Sequence, residues 1–254
     1  AYGVISTSGA FSQTAMSNRV WLAGNTLTVK KNGMIDVNNC GYKAQNGPGW
    51  AGGRGLGYGN CGVHGSVYCG VNVYGYGSGS WPIPYGDAEW PTQPGSGSSD
   101  WNRGDGPGGG AVYLDFAGAV TIDGRVAANS GQRTYGAGAG GSVLILCKTI
   151  SGAGSVEAFS AKNGNINETQ CGGSGRIAVH YDSAAQDAAT CDVVFEAYCK
   201  VTTTTPESVG EPGTVWFPDW KFVESGKTYN ARMASAVATV NIPGNLTVTD
   251  RRFG

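Results

Sequence analysis

The side chains that could perform catalysis are few and widely separated. The two histidines, His64 and His180, lie 116 residues apart, which offers no evident catalytic triad and no cluster of metal ligands. Asp115, Asp123 and Asp182 lie near predicted strands, but no repeat places them at matching positions. Glycoside hydrolysis needs two carboxylates at a defined separation. We therefore predict that the protein is not an enzyme and that it holds neither a metal ion nor a cofactor.

The cysteines indicate an oxidising compartment. The chain has seven, at positions 40, 61, 69, 147, 171, 191 and 199. Cys61 and Cys69 lie eight residues apart, as do Cys191 and Cys199, and because this spacing closes a small loop we predict one disulfide in each pair. Zinc is the competing interpretation, but the chain has no CxxC motif. Disulfides, and a start at Ala1 of the kind expected after signal-peptide removal, predict a secreted protein.

A long segment rich in glycine and aromatic residues offers a second kind of site. It covers residues 41–110, carries few charges and includes Trp81, Trp90 and Trp101. Three interpretations are open: a cap packed on the rest of the fold, a subunit interface, in which tyrosine and tryptophan are enriched, or a platform for sugar rings. Elsewhere, Asn167 and Asn245 lie in N-glycosylation sequons and are candidates for modification of a secreted protein.

The charge balance excludes two classes of partner. The 17 basic and 18 acidic residues give a net charge of −1, and no basic stripe of the kind that nucleic-acid binding needs is present. No apolar run approaches the roughly 20 residues of a membrane helix. We predict that the protein neither binds nucleic acid nor inserts into a membrane.

Strands are predicted to form most of the regular structure that carries these residues. Glycine makes up 44 of the 254 residues, about 17% against a typical 7%. The best helical candidate is the short segment 182–190, whereas apolar and polar residues alternate at Val112–Phe116 and at Ile177–Tyr181. Val143–Cys147 is apolar on both faces, as in a strand that is covered on both sides. The sequence predicts an all-β protein that forms a single domain over residues 1–254.

A recurring unit predicts how these strands are arranged. Glycines precede four apolar runs, and the equivalent positions Val112, Val143, Ile177 and Val215 are separated by 31, 34 and 38 residues. A strand–turn–strand unit of this length can bury its apolar face only by stacking on its neighbours. We therefore predict a solenoid with glycine-rich loops. The alternative is a β-sandwich or jelly roll, which also has short strands at regular intervals.

Part of the repeat region resembles a known family. Within residues 105–220, the phrases GGAVYLDF, GAGSVEAFSAKNG, GGSGRIAVHY and GEPGTVWF resemble the glycine-rich β-helical repeats of large bacterial surface and adhesin-like proteins. The resemblance implies a right-handed parallel β-helix on the cell exterior, and it supplies no catalytic residue. This chain departs from the family in its long aromatic insertion and in the cysteines within its repeats.

The C-terminal residues 233–250 are predicted to form a pair of strands outside the repeats. The apolar positions of this segment include Val237, Val240, Ile242, Leu246 and Val248. No charged residue occurs from Met233 to Thr249, so the segment lacks the lysines that usually prevent edge pairing between molecules. It either pairs within its own chain or completes the sheet of a neighbour, and we favour the second.

These patterns together predict a secreted structural protein whose partner is itself. We expect it to be the self-assembling subunit of an extracellular fibre or surface layer. The alternative is a carbohydrate-binding adhesin module that would hold glycans on Trp81, Trp90 and Trp101.

Overall fold

The computed structural model describes residues 3–12, 19–49, 63–66, 83–98, 106–131, 137–161, 171–199, 211–222 and 231–237. Within these ranges the strands are β1 (Val4–Ile5), β2 (Arg19–Gly24), β3 (Leu27–Val29), β4 (Met34–Asp36), β5 (Ala111–Phe116), β6 (Ala119–Ile122), β7 (Arg125–Ala127), β8 (Ser142–Leu146), β9 (Thr149–Ser151), β10 (Ser155–Glu157), β11 (Arg176–His180), β12 (Val194–Glu196), β13 (Thr214–Phe217) and β14 (Arg232–Ser235). One 3-10 helix, Ala188–Thr190, lies between β11 and β12. Among the described residues, no helix is long and apolar enough to cross a membrane.

The described strands form three sheets, and all of their pairings are parallel. The six-stranded sheet has the order β14-β13-β11-β8-β5-β2, the five-stranded sheet β1-β4-β7-β10-β12 and the three-stranded sheet β3-β6-β9. The prediction of an all-β protein is therefore confirmed. Parallel pairing throughout does not fit the alternative of a β-sandwich, because sandwiches are built from antiparallel sheets.

The chain visits the three sheets in a fixed cyclic order. β2, β3 and β4 belong to the six-, three- and five-stranded sheets in turn, and β5–β7 and β8–β10 repeat this order. We call each such passage a circuit. In the fourth circuit, between β11 and β12, the predicted helical segment 182–190 forms turns and the 3-10 helix in place of a strand. The Gln186 side chain there closes the edge of β9, because its amide accepts from the Ile150 N–H (2.7 Å) and donates to the Ile150 carbonyl (3.0 Å).

Stacked aliphatic side chains fill the interior between the sheets. Val112, Val143, Ile177 and Val215, the positions with the 31-, 34- and 38-residue spacing, are register partners on consecutive strands. All four are buried in one apolar cluster. We call such rows of inward-facing register partners the interior columns. The sequence spacing therefore corresponds to one circuit of the chain.

The glycine-rich segments pack against one another through their backbones. We define the glycine layer as the described glycines at positions 41, 95, 108–110, 138, 140, 141, 172, 173, 175 and 213. Backbone hydrogen bonds cross this layer from Gly41 N to Gly108 O (2.8 Å) and from Gly95 N to Gly109 O (2.8 Å). A Cβ atom added at Gly141 would overlap the Gly110 carbonyl oxygen. The segments can approach this closely only because they carry no side chains.

Residues 83–98 of the aromatic segment attach to the outer face of the six-stranded sheet. The Ser142 hydroxyl donates to the Gln93 carbonyl, and the Arg176 Nε donates to the Tyr85 carbonyl (3.0 Å). On the same face Leu144 is buried although its side chain points away from the interior columns. The prediction that Val143–Cys147 is covered on both faces is confirmed for this part of β8.

Candidate functional site

Aromatic side chains occupy one register row on the outer face of the six-stranded sheet. This outer row, read from β2 to β14, consists of Trp21, Tyr113, Leu144, Ala178, Trp216 and Ala234. The ring centroids of Trp21 and Tyr113 lie 5.3 Å apart. Trp21 is 62% exposed, whereas Trp216 near the other end is buried. The row therefore presents an uncovered aromatic surface only at the β2 side.

Trp90 is the member of the predicted sugar-binding set that falls within the described residues. Its ring stacks on the His180 imidazole at a centroid distance of 4.2 Å. The ring centroids of His180 and Trp216 lie 4.4 Å apart. The His180 Nε2 is 2.8 Å from the Glu89 carbonyl oxygen, which fixes the imidazole under the indole. Trp90 remains 47% exposed. Trp81 and Trp101 lie outside the described residues.

A buried polar cluster connects the aromatic segment to the sheet. His64 Nδ1 lies 2.8 Å from the Gly140 carbonyl and Nε2 lies 3.5 Å from Ser142 Oγ. A serine beside a histidine is the arrangement of an activated nucleophile. Here both side chains are fully buried, and the Ser142 hydroxyl already donates to Gln93. The pair therefore serves as an anchor for residues 63–66 and 83–98.

Electrostatics agree with an anchoring role for this cluster. Burial, together with the nearby positive charge of Arg176, lowers the pKa of His64 to about 3, so the imidazole is neutral at physiological pH. Burial raises the pKa of the Tyr85 hydroxyl, which donates to the Pro94 carbonyl (2.6 Å). Burial also lowers the pKa of the Arg176 guanidinium, whose Nη1 donates to Thr214 (3.2 Å). The hydrogen bonds from Ser142 to Gln93 and from Arg176 to Tyr85 join the segment to β8 and β11.

Two stacked carboxylates were missed by sequence reasoning. Glu157 and Glu196 are register partners on β10 and β12, each one residue beyond an inward-facing residue. The Glu157 Oε2 accepts from Arg125 Nη2 (2.7 Å) and from Asn129 Nδ2 (2.9 Å), and Oε1 accepts from Ser155 (2.8 Å). Both oxygens are therefore engaged in a structural tie between β7 and β10. Aligning the circuits on Val156 and Phe195 would have revealed the stack.

The disulfide prediction for Cys191 and Cys199 is wrong. Cys199 is bonded to Cys171, with the two Cα atoms 6.1 Å apart. Cys191 and Cys199 flank the extended strand β12, and an extended chain advances about 3.3 Å per residue, so the strand holds the two cysteines apart. Cys171 lies 28 residues before Cys199. The bond therefore joins the start of the fourth circuit, before β11, to its end, after β12. The predicted partners Cys61 and Cys69 lie outside the described residues.

Three inward-facing residues on the first strands of the three sheets remain partly exposed, whereas Val20 on β2 and Val29 on β3 are buried. Ile5 on β1 is the register partner of Ile35 and yet is 44% exposed, while Ile35 is buried. Leu22 on β2 and Leu27 on β3 are only half-buried, although their partners on β5 and β6 are completely buried. We call the surface formed by β1, β2 and β3 the N-terminal face.

The described start of the predicted assembly segment lies in β14. This strand pairs in parallel with β13 of the same chain, so residues 233–235 form the last described strand of their own sheet. Val237 follows it, is exposed, and accepts a hydrogen bond at its carbonyl from Trp220 Nε1 (2.9 Å). The candidates Val240, Ile242, Leu246 and Val248, and the sequon residues Asn167 and Asn245, lie outside the described residues.

Comparisons with known proteins give no match for this chain. No family model, no curated protein and no solved structure matches it. Among the described side chains, no three of histidine, cysteine, aspartate and glutamate are grouped so that they could hold a metal ion. The function must therefore be argued from the geometry of the sheets, their faces and their ends.

Proposed function

We propose that the protein is a secreted structural protein, built as a right-handed parallel β-helix, that assembles with copies of itself into an extracellular fibre or surface layer. The observation that carries this proposal is the exposure of inward-facing residues on the N-terminal face. Ile5 would be buried like Ile35 if one more strand were stacked on β1. Apolar residues that remain partly exposed at the end of a core favour association.

The strand pairings support the architecture. Each of the first three circuits adds one strand to every sheet, the pairings between described strands are parallel, and the repeat positions fall into register. In such a solenoid each circuit is stabilised only by its neighbours, so the terminal circuits need a cap or another molecule.

The composition of the terminal strands supports assembly. Six strands end the three sheets and contain no lysine: β1 (VI), β2 (RVWLAG), β3 (LTV), β9 (TIS), β12 (VFE) and β14 (RMAS). Natural proteins commonly protect exposed sheet edges with charged side chains, especially lysine, with proline or with a bulge. β2, β12 and β14 each carry one charged residue, whereas β1 and β3 carry none and are suited to pairing with another chain.

The disulfide supports a location outside the cell. Cys171 and Cys199 join the two ends of one circuit, and such bonds persist in oxidising compartments. The role that we propose requires no catalytic step, because the rigid stack of strands and the contacts at its ends are themselves the function.

A pair of isoleucines offers a matched test. Ile5 lies on the N-terminal face, whereas Ile83, which is 79% exposed, lies on the segment that covers the outer face of the six-stranded sheet. We expect Ile5→Lys to abolish or strongly weaken self-association, because a charge would have to be buried at the contact. Ile83→Lys should leave it unchanged. Sedimentation velocity and negative-stain microscopy over a concentration series measure both effects.

Two outcomes would contradict the proposal. A wild-type chain that stays monomeric at every concentration has no assembly function. Equal effects of the two substitutions would place the contact away from the N-terminal face.

A carbohydrate-binding adhesin is the second candidate. It is favoured by Trp90, whose stacking on His180 holds one ring face rigidly in place while the residue remains half-exposed. Sugar rings commonly bind on such fixed aromatic faces. Trp90→Ala should then lower the affinity for a bound polysaccharide at least tenfold without changing self-association, and unchanged affinity would exclude this use of Trp90.

A further inference from the structure

We propose that copies of this chain associate head to tail, with β2 of one copy added in parallel to the outer edge of β14 of the next copy. The inference rests on the proposed self-assembly and assigns its two faces. It follows from three features: the exposed N-terminal face, the size of the side chains at the two ends of the outer row, and the closure of the interior at the opposite end.

The two ends of the interior differ in what covers them. At the N-terminal face Ile5, Leu22 and Leu27 leave the interior columns partly open. At the far end the rings of Tyr181, Phe195, Phe217 and Phe222 pack together, and Phe222 is buried. One end therefore keeps partly exposed apolar residues beside the buried Val20 and Val29, and the other end presents a closed interior from which the six-stranded sheet extends as β14.

The six-stranded sheet can continue from one copy to the next without a change of register. Val20 on β2 and Met233 on β14 begin and end the interior column that contains Val112, Val143 and Ile177. Met233 is only half-buried. Strand β2 of a second copy, placed about 4.8 Å beyond β14, would set its Val20, which is already buried within its own chain, beside this methionine and extend the column.

The outer row is complementary in size at the same junction. It ends at the small Ala234, which packs beside the buried Trp216, and it begins at the large, exposed Trp21. In a head-to-tail contact the Trp21 indole of the second copy would lie over Ala234 and approach Trp216. The large, exposed side chain of Trp21 at one end would thus contact the small side chain of Ala234 at the other end.

The charges at the junction are compatible with this contact. Arg19 begins and Arg232 ends the adjacent register row, so head-to-tail stacking brings two arginines near each other. Arg232 is already paired with Glu211, whose Oε2 lies 2.5 Å from Nη2. The carboxylate therefore offsets the charge that Arg19 would otherwise face.

A symmetric contact between two N-terminal faces is the main competitor. It would pair β2 with β2 in antiparallel orientation and would be complete at a dimer, because an isologous interface uses the same surface on both partners. It would also oppose Trp21 to Trp21 instead of to Ala234. A head-to-tail contact is heterologous and continues into a filament.

Two substitutions distinguish these arrangements in the full-length protein. Trp21→Lys alters the N-terminal face, and Ala234→Lys alters the outer edge of β14. We expect each variant alone to remain monomeric at concentrations at which the wild type is assembled. An equimolar mixture should form heterodimers, because the unaltered β14 of the Trp21→Lys variant fits the unaltered N-terminal face of the Ala234→Lys variant. Native mass spectrometry and light scattering after size exclusion measure the products, with Ile83→Lys as the matched surface control.

Each of the other outcomes overturns the inference in an identifiable way. If Ala234→Lys alone still dimerises while the mixture forms no heterodimer, the contact joins two N-terminal faces. If wild type assembles and neither substitution affects it, the contact is lateral, and only the head-to-tail inference fails. A wild type that never assembles overturns the proposed function and the inference together. Circular dichroism of each variant excludes loss of folding as the cause of a monomeric result.

Discussion

The interior columns and the glycine layer are two packed regions that are built from different groups. In the columns, aliphatic side chains such as Val112, Val143 and Ile177 stack on consecutive strands. In the glycine layer, backbone amides and carbonyls of Gly95 and Gly109 meet directly, with no side chain between the segments. The columns are stabilised by burial of apolar surface, whereas the layer is stabilised by hydrogen bonds and close backbone contact.

This difference predicts opposite sensitivities to mutation. A column loses stability when a side chain is shortened, because a cavity remains. The layer loses stability when any side chain is added, because its neighbours are backbone atoms that cannot turn away.

Adding one methyl group to the glycine layer should have the largest effect. A Cβ on Gly141 would overlap the Gly110 carbonyl oxygen and approach the Gly109 backbone, so we expect Gly141→Ala to lower the free energy of unfolding by about 4 kcal/mol. Gly9, whose added Cβ would meet nothing within 4 Å, is the control, and Gly9→Ala should be nearly neutral. Denaturant unfolding measures both. Equal effects would show that the layer is not closely packed.

Removing the disulfide should have the next largest effect. The bond closes a loop with a sequence separation of 28, for which the chain-entropy relation gives about 3.5 kcal/mol. Cys171 directly precedes Gly172 and Gly173, so the loss should be accompanied by faster amide exchange in the glycine layer and less change in the columns. Wild type and Cys171→Ser should have the same stability when both are reduced, whereas without reductant the wild type should be more stable by about this amount.

Shortening a column residue tests the other side of the contrast. Leu114 is completely buried and has Leu22 and Ile145 as register partners. We expect Leu114→Ala to lower the free energy of unfolding by about 3 kcal/mol, and Leu114→Met, which keeps most of the volume, to cost less than about 1.5 kcal/mol. A Met variant as unstable as the Ala variant would contradict a column stabilised by buried volume.

The smallest expected effect concerns His64, which lies against the glycine layer at Gly140. Its pKa is lowered to about 3 by burial, whereas the unfolded chain takes up the proton near 6.5. Unfolding therefore binds a proton in this window, and stability should fall by about 2 kcal/mol between pH 6.5 and pH 5. His64→Gln should flatten the pH dependence in denaturant unfolding. A wild type whose stability is constant over this range would show that His64 is not held neutral.

The contrast between the interior columns and the glycine layer also explains which parts of the fold could be predicted from the sequence. The column positions Val112, Val143, Ile177 and Val215 recur with strand-like neighbours, and their spacing predicted the register that the sheets display. The glycine layer brings Gly41, Gly95 and Gly108 together, although they belong to different parts of the chain and no side-chain pattern relates them.

The candidate sites divide in a similar way. Trp90 was recognised by residue type, but its support by His180 depends on where residues 83–98 lie on the sheet. Cys199 was assigned to its sequence neighbour Cys191, whereas the circuit brings Cys171 to it. Local spacing predicted strands and their period, but it could not predict contacts that arise only when one circuit returns to its starting point.

The most direct test of the account is the axial rise per subunit in the assembled particle, measured by helical reconstruction from cryo-electron microscopy. The six-stranded sheet contributes six strands along the stacking direction, so at about 4.8 Å per strand head-to-tail stacking predicts strands perpendicular to the filament axis and a rise of about 29 Å per copy. Filaments with strands along the axis, or subunits related by twofold axes perpendicular to it, would contradict head-to-tail continuation of the sheet.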